Sequence, residues 1–342
     1  MGADGKGENA EITGESLNMK LNDEVAQLIE DQLSVWEQAR GNYNALSHIK
    51  VKEELVNGVP FKVQFNPARI VSSAAKVDPK SIKERKCFLC AANRPEVQKG
   101  IDFVGEAATY EILLNPFPIF PKHLTLPDKT HTRQQILGRY ADMLTLASAI
   151  DDFVLFYNGP KCGASAPDHM HFQAGNKGFL PLERLLCGAE GVVNEKLVGK
   201  QNKMNDFKGG ELYTVEHLVP GTLLLTGVDK SGMVGEFEKI YSLLPVKEGE
   251  WEPMMNIVTW FDSGRWFSLI FVRDKHRPAC YFAEGEENML LSPASVDLGG
   301  VFITPLEKDF GRLDGAMVES VLKEIAVSRD FMSELDNKLK QL

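Results

Sequence analysis

The chain has 342 residues, 43% of them hydrophobic and 25% charged, with a formal net charge of −10. That length permits a substantial core arranged as two domains or as one domain of two similar halves, and no apolar run is long enough to cross a bilayer. The acidic balance argues against a general grip on nucleic-acid backbones, which needs lysine and arginine, but it leaves small anions open at a locally positive site.

Residues 1–17, beginning MGADGKGENAEITGES, have neither a basic n-region nor an apolar h-region, and their Gly and Glu content predicts a disordered tail. A cytoplasmic protein is expected, and in that compartment five cysteines do not suggest a disulfide framework. Val25, Leu28, Ile29, Leu33 and Trp36 recur at helical spacing after Asn22, so an amphipathic helix is expected there. Phe61, Val63 and Phe65 alternate as a strand, and YEILLNPFPIFPKHLTLP reads as strand, proline-broken connection and strand. Ile136, Leu137, Tyr140, Met143, Leu144, Ala147 and Ile150 predict a core-facing helix from Thr132 to Ile150.

DDFVLFYNGP is a strand ending in an Asn-Gly turn, and DHMHFQAG reads as the next strand. The pattern then weakens between Cys187 and Gly210. Beyond it TLLLTG, NIVTWF, WFSLIFVR and CYFA are expected strands, and Met317–Leu342 a closing helix. The chain is therefore divided into a tail (1–17), a first half (18–186), a connection (187–210) and a second half (211–342), in an α+β fold with antiparallel sheets flanked by helices.

Within DHMHFQAG, alternation puts His169, His171 and Gln173 on one face of the strand, with Met170 and Phe172 on the other. The imidazoles then have three readings: metal ligands, nucleophile, or a polar solvent-facing edge. Upstream of them Gly163-Ala-Ser165-Ala-Pro167 is a small-residue turn that lets a phosphate approach the main chain, close to Asn158-Gly159. Cys87-Phe-Leu-Cys90 is a usual half-site for zinc, and with His123 and His131 downstream a tetrahedral set of two thiolates and two imidazoles is available.

These motifs in this order, Cys87-x-x-Cys90, Asn115-Pro-Phe-Pro-Ile-Phe-Pro-Lys-His123, Gly163-x-Ser165-x-Pro167 and His169-x-His171-x-Gln173, resemble the galactose-1-phosphate uridylyltransferase branch of the histidine-triad (HIT) superfamily. That branch also contains dinucleoside polyphosphate and GDP-hexose phosphorylases. The resemblance spans residues 61–185 and, more faintly, 253–310. It implies two HIT-like halves in one chain. It implies His171 as the nucleophile attacking the α-phosphorus of a nucleotide, and Gln173 as a hydrogen-bond donor to the transferred group. A structural zinc on Cys87, Cys90 and His169 is also implied, with His131 fitting the place of the fourth ligand better than His123, which stands where the family has a nucleotide-side histidine. Asp168 is an insertion relative to most relatives, either a turn residue or a carboxylate behind an imidazole.

The chemistry fits such a nucleophile. A neutral imidazole attacks phosphorus near pH 7, a phosphoramidate leaves readily, and Ser165, Gln173 and the amides of residues 163–166 are donors for the equatorial oxygens. The resemblance ties glutamine at position 173 to transfer or phosphorolysis, and an amide does no acid–base work. Substrate contacts are expected from Asn158, Gly163, His123 and Arg69, and from the basic run after WFSLIFVR, where Arg273, His276 and Arg277 suit phosphate clamping. The expected ligands are a nucleotide or nucleotide sugar and a phosphate or sugar-phosphate acceptor. Two other readings stay open: a zinc-dependent hydrolase with His169 and His171 on one metal, and a nucleotide-binding protein without turnover.

Overall fold

The computed structural model describes residues 14–70, 78–187, 191–199 and 202–341, with side chains from Lys20 onward and Pro79's left aside. Ten strands form one antiparallel sheet. In chain order they are β3 (Gly100–Val104), β4 (Thr109–Leu114), β5 (His123–Pro127), β6 (Phe153–Asn158), β7 (His171–Asn176), β8 (Lys203–Phe207), β9 (Gly210–Thr214), β10 (Thr222–Gly227), β11 (Met255–Asp262) and β12 (Arg265–Val272). A small sheet is made by β1 (Lys50–Val56), β2 (Val59–Phe65) and β13 (Val301–Thr304), with β13 parallel to β2.

The order across the large sheet is β3-β4-β5-β7-β6-β11-β12-β10-β9-β8. Five strands from each half are laid down in the same sequence, and the two sets meet at β6–β11, where Asn158 faces Asn256. Among the helices of ten or more residues, α1 (Gly14–Val35) and α2 (Glu37–Leu46) precede the sheets; α3 (Tyr140–Ala149) links β5 to β6 and α4 (Lys230–Leu243) links β10 to β11, at matching places in the two halves. Tyr140 stacks on Phe237 with ring centroids 4.1 Å apart, so the two linking helices pack on each other. The halves inferred from the sequence are thus one continuous sheet with internal repetition. The stretch expected as a connection contributes β8 to it.

Alternation sorts the side chains between two cores. Tyr110, Leu124, Leu126, Tyr157, Phe172 and Ala174 face the helices, while Val154, Phe156, Val258 and Trp260 face the small sheet and α5 (Gly315–Ile325). Each fully buried Leu or Phe contributes about 1.5–3 kcal/mol, so register is strongly held: a one-residue slip would turn a whole strand's apolar set to the wrong layer.

Several elements differ from the sequence reading. The first helix starts at Gly14, inside the expected tail, whose residues 1–13 lie outside the described ones. The helix expected from Thr132 begins only at Tyr140, because Gln134 and Ile136 are tied to Pro167 and Glu252 in irregular chain. The closing helix is two, α5 and α6 (Arg329–Leu339), broken where Ala326 bridges Arg273 and Ser328 caps the second. CYFA lies in a short helix, Ala279–Phe282, rather than a strand. No described helix is long and apolar enough to cross a membrane.

Candidate active site

The strand expected over DHMHFQAG begins at His171. Residues before it are held in a turn: His169 N donates to Ala166 O at 3.1 Å and Met170 N to Thr132 O at 2.6 Å. His169 is therefore outside the ladder, and the expected common face of His169 and His171 does not form. The two rings go to different places.

His171 is 3% exposed and lines a cleft of about 580 Å³ on the small-sheet side of β4, β5, β7 and β6. Its Nδ1 lies 2.8 Å from the main-chain oxygen of His169. A carbonyl only accepts, so Nδ1 carries the proton and Nε2 keeps its lone pair. Burial lowers the ring's pKa to about 4, which leaves it neutral at physiological pH. Gln134 locks the main chain of this residue from both sides, accepting from His171 N at 2.8 Å and donating to His171 O at 3.0 Å.

Gln173 and His123 form a second ordered pair. Ile119 N donates to His123 Nδ1 at 3.2 Å, and a main-chain amide cannot accept, so the neutral ring is protonated on Nε2. His123 Nε2 then donates to Gln173 Oε1 at 3.2 Å, which leaves the amide nitrogen of Gln173 as a donor in the cleft. Burial first, and then the charge of Arg69, hold His123 down to about 3. Arg69 is half-buried on the cleft wall, its Nη1 donating to Phe117 O at 2.7 Å.

The remaining expected contacts Asn158, Gly163 and Ser165 also line the cleft. Asn158 Oδ1 accepts from Asn256 Nδ2 (2.8 Å), Ser295 N (2.9 Å) and Ser295 Oγ (2.8 Å), so its own Nδ2 is the donor left over. The second half thus orients a first-half side chain across the β6–β11 seam. Gly163 has φ +94°, and a Cβ there would sit 2.5 Å from Ala294 Cβ, so this turn needs glycine twice over.

Cys87, Cys90, His131 and His169 converge, their ligand atoms all within 4.8 Å of one another. Cys87 Sγ is 3.2 Å from His169 Nδ1, and Cys90 Sγ is 3.1 Å from His131 Nδ1 and 3.6 Å from His169 Nδ1. Metal–ligand lengths of about 2.0–2.3 Å put tetrahedral ligand atoms roughly 3.3–3.8 Å apart, so the set fits a metal ion such as zinc. His169 Nε2 donates to Asp128 O at 2.7 Å, which fixes the tautomer that turns Nδ1 to the cluster. His123, the other candidate ligand, is at Gln173 instead. Four protein ligands make a closed, structural type of site with no position for a reacting water.

Arg273, His276 and Arg277, expected to clamp phosphate, do not line this cleft. Arg273 is buried and spends its fork on Asn256 Oδ1 and Pro293 O (2.8 Å each), Lys275 O (2.9 Å) and His276 O (2.8 Å). It pins the loop that carries Ala294 and Ser295 rather than a ligand. Arg277 lies 4.0 Å from the Tyr281 ring centroid and donates to Ser292 Oγ. Among the described residues the cleft's cations are Arg69, Arg85 and Arg94, of which the last two were not singled out in the sequence. Asp168 pairs with Arg85 at 2.5 Å, so the inserted carboxylate serves an arginine and not an imidazole.

The chain is thus α+β, with one sheet built from two five-strand repeats and a histidine-bearing strand one removed from the seam. It shares this fold with yeast Ap4A phosphorylase Apa2, at TM-score 0.54 and 16% identity over 85% of this chain and 93% of that one. The same enzyme in complex with AMP gives 0.54 and 16% over 86% and 96% of the chains, and in complex with Ap4A 0.51 and 16% over 85% and 96%. Residues 28–176 match the family model "Domain of unknown function (DUF4922)". No curated protein matches the chain.

Proposed function

We propose that this protein is a nucleotidyltransferase or phosphorylase that works through a nucleotide carried covalently on His171. The observation that carries this reading is the 2.8 Å contact between His171 Nδ1 and His169 O, which leaves a neutral, buried Nε2 facing a cleft with oriented amide donors. The fold shared with an enzyme crystallised with AMP and with Ap4A supports it.

In the first step Nε2 attacks the α-phosphorus; the P–N bond forms, the bond to the leaving phosphate oxygen breaks, and that oxygen departs with the electron pair. An acceptor oxygen then attacks the same phosphorus and the pair of the P–N bond returns to Nε2. Gln173 Nε2, Asn158 Nδ2 and Ser165 meet the charge on the equatorial oxygens, a role for donors already aimed before the reaction. The chain's own residues for a metal are Cys87, Cys90, His131 and His169. Zinc bound there would brace the turn whose carbonyl orients the nucleophile.

The hydrolase reading required His169 and His171 on one metal, and it loses support because His171 is outside the four-residue cluster. The test is product analysis in ¹⁸O-water with dinucleoside polyphosphates and nucleotide sugars as donors. The proposal expects consumption to depend on added phosphate or sugar phosphate, with no label in the nucleotide product. Acceptor-independent, labelled product would refute transfer.

A further inference from the structure

Arg85 and Arg94 stand on either side of the Cys87–Cys90 turn, and both line the cleft. Each meets a carboxylate through one nitrogen: Arg85 Nη2 with Asp168 Oδ1 and Arg94 Nη2 with Glu111 Oε2, both at 2.5 Å. Part of each fork is unspent among the described residues. Among the described residues, Arg94 Nε and Nη1 and Arg85 Nη1 are buried without a hydrogen-bond partner, and the Arg94 side chain is only 8% exposed. A guanidinium cannot shed its proton, so these N–H groups remain donors wanting an acceptor. Arg139, Arg265 and Arg273 also have a buried nitrogen without a hydrogen bond among the described residues, but none of them lines the cleft.

Their position relative to His171 follows from register. Tyr110, next to Glu111, bridges Asp128, while Pro127 is in register with His171. Glu111, whose carboxylate holds Arg94, is therefore two strands from His171, roughly 10 Å between main chains at the usual interstrand spacing. That distance belongs to a group other than the phosphorus under attack. Arg85 Nη2 also lies 3.4 Å from Ser165 O, so the pair is joined to the turn at residues 163–167.

We propose that Arg85 and Arg94 form a site for a second phosphate group, apart from the one at His171, and that the Cys-x-x-Cys turn between them sets their spacing. The proposal rests on reading the cleft as a nucleotide site. Forked guanidinium groups match phosphate oxygens in pairs, and here two of them carry idle donors in one cleft. The phosphate is either the far end of a polyphosphate chain or a free inorganic phosphate.

Calorimetric titration of the full chain distinguishes these. The probes are inorganic phosphate, inorganic triphosphate, and the mono- and triphosphates of adenosine, guanosine and uridine. The proteins are wild type, Arg85→Gln, Arg94→Gln and Arg94→Lys, each checked by thermal melt. The wild type is expected to bind inorganic triphosphate, and a nucleoside triphosphate at least about tenfold more tightly than its monophosphate. Both Gln variants lose that advantage, and Arg94→Lys keeps part of it. Displacement of triphosphate by inorganic phosphate alone assigns the site to the free anion; failure to displace it assigns the site to the chain end. Equal wild-type affinity for mono- and triphosphate, no binding of any probe, or equal weakening of both by the Gln variants overturns the site. Arginine-dependent triphosphate binding without a covalent nucleotide would keep this site and sink the reaction; a covalent nucleotide without triphosphate preference would do the reverse.

Discussion

The main-chain oxygen of His169 accepts the Nδ1 proton of His171 at 2.8 Å, while the ring of His169 sits among Cys87, Cys90 and His131. One residue thus belongs to two sites, by its side chain to the cysteine–histidine cluster and by its backbone to the proposed nucleophile. Zinc in that cluster is expected at one equivalent per chain by elemental analysis, and Cys90→Ser or a chelator should remove it. Loss should lower the melting temperature by several degrees and slow nucleotide transfer about tenfold, because the carbonyl loses its brace. Unchanged melting after metal removal would show that the cluster braces nothing.

Gln173 Oε1 is held by His123 Nε2, so its amide nitrogen is aimed before substrate arrives. Gln173→Ala should reduce single-turnover transfer by about 10²–10³-fold, as loss of a preorganised donor does. His123→Phe should cost roughly tenfold by letting the amide rotate, without altering which donors are consumed. Equal effects of the two substitutions would contradict this division.

His123 also sets a pH dependence of stability. Burial, then Arg69, hold its pKa at about 3 in the folded chain against an ordinary 6.5. The unfolded chain takes up a proton below pH 6.5 that the folded chain refuses until about 3, so the histidine's contribution to stability is whole above 6.5 and shrinks as pH falls. Denaturant unfolding should show a loss of up to about 4 kcal/mol from this group between those limits. In His123→Gln that part of the slope should vanish, whatever the variant's stability at neutral pH.

Gly163→Ala should be costly although it adds one methyl group. The backbone is at φ +94° and the new Cβ would meet Ala294 Cβ at 2.5 Å. A loss of at least about 1–2 kcal/mol in unfolding free energy is expected, together with weaker nucleotide binding as the turn at residues 163–167 shifts. A neutral substitution would mean that the turn can move without consequence.

How much of this was legible in the sequence depended on whether the signal was local. The ladder from His171 to Gln173 and the Cys-x-x-Cys pair are carried by short spacings, so the residues of both sites could be picked out. His169 was assigned to the wrong face because a main-chain bond from Met170 N to Thr132 O, 38 residues away in sequence, holds the chain in a turn until the strand begins at His171. Arg85 and Arg94 are single letters in irregular chain, and their meaning comes from Asp168 and Glu111. Arg273 erred the other way: a dense basic run is conspicuous, but nothing in it tells whether its forks meet a ligand or, as here, the carbonyls of its own loop. The repeat of five strands per half was hidden because burial preserves alternation and not identity.

In the proposed reaction a nucleotide becomes bonded to His171. Intact-protein mass measured after incubation with a panel of nucleotide sugars and dinucleoside polyphosphates, without acceptor, tests it directly. An added mass of one nucleoside monophosphate is expected with at least one donor, absent in His171→Ala and discharged by phosphate or a sugar phosphate. No adduct with any donor in protein that consumes those donors, or an adduct that persists in His171→Ala, would contradict it.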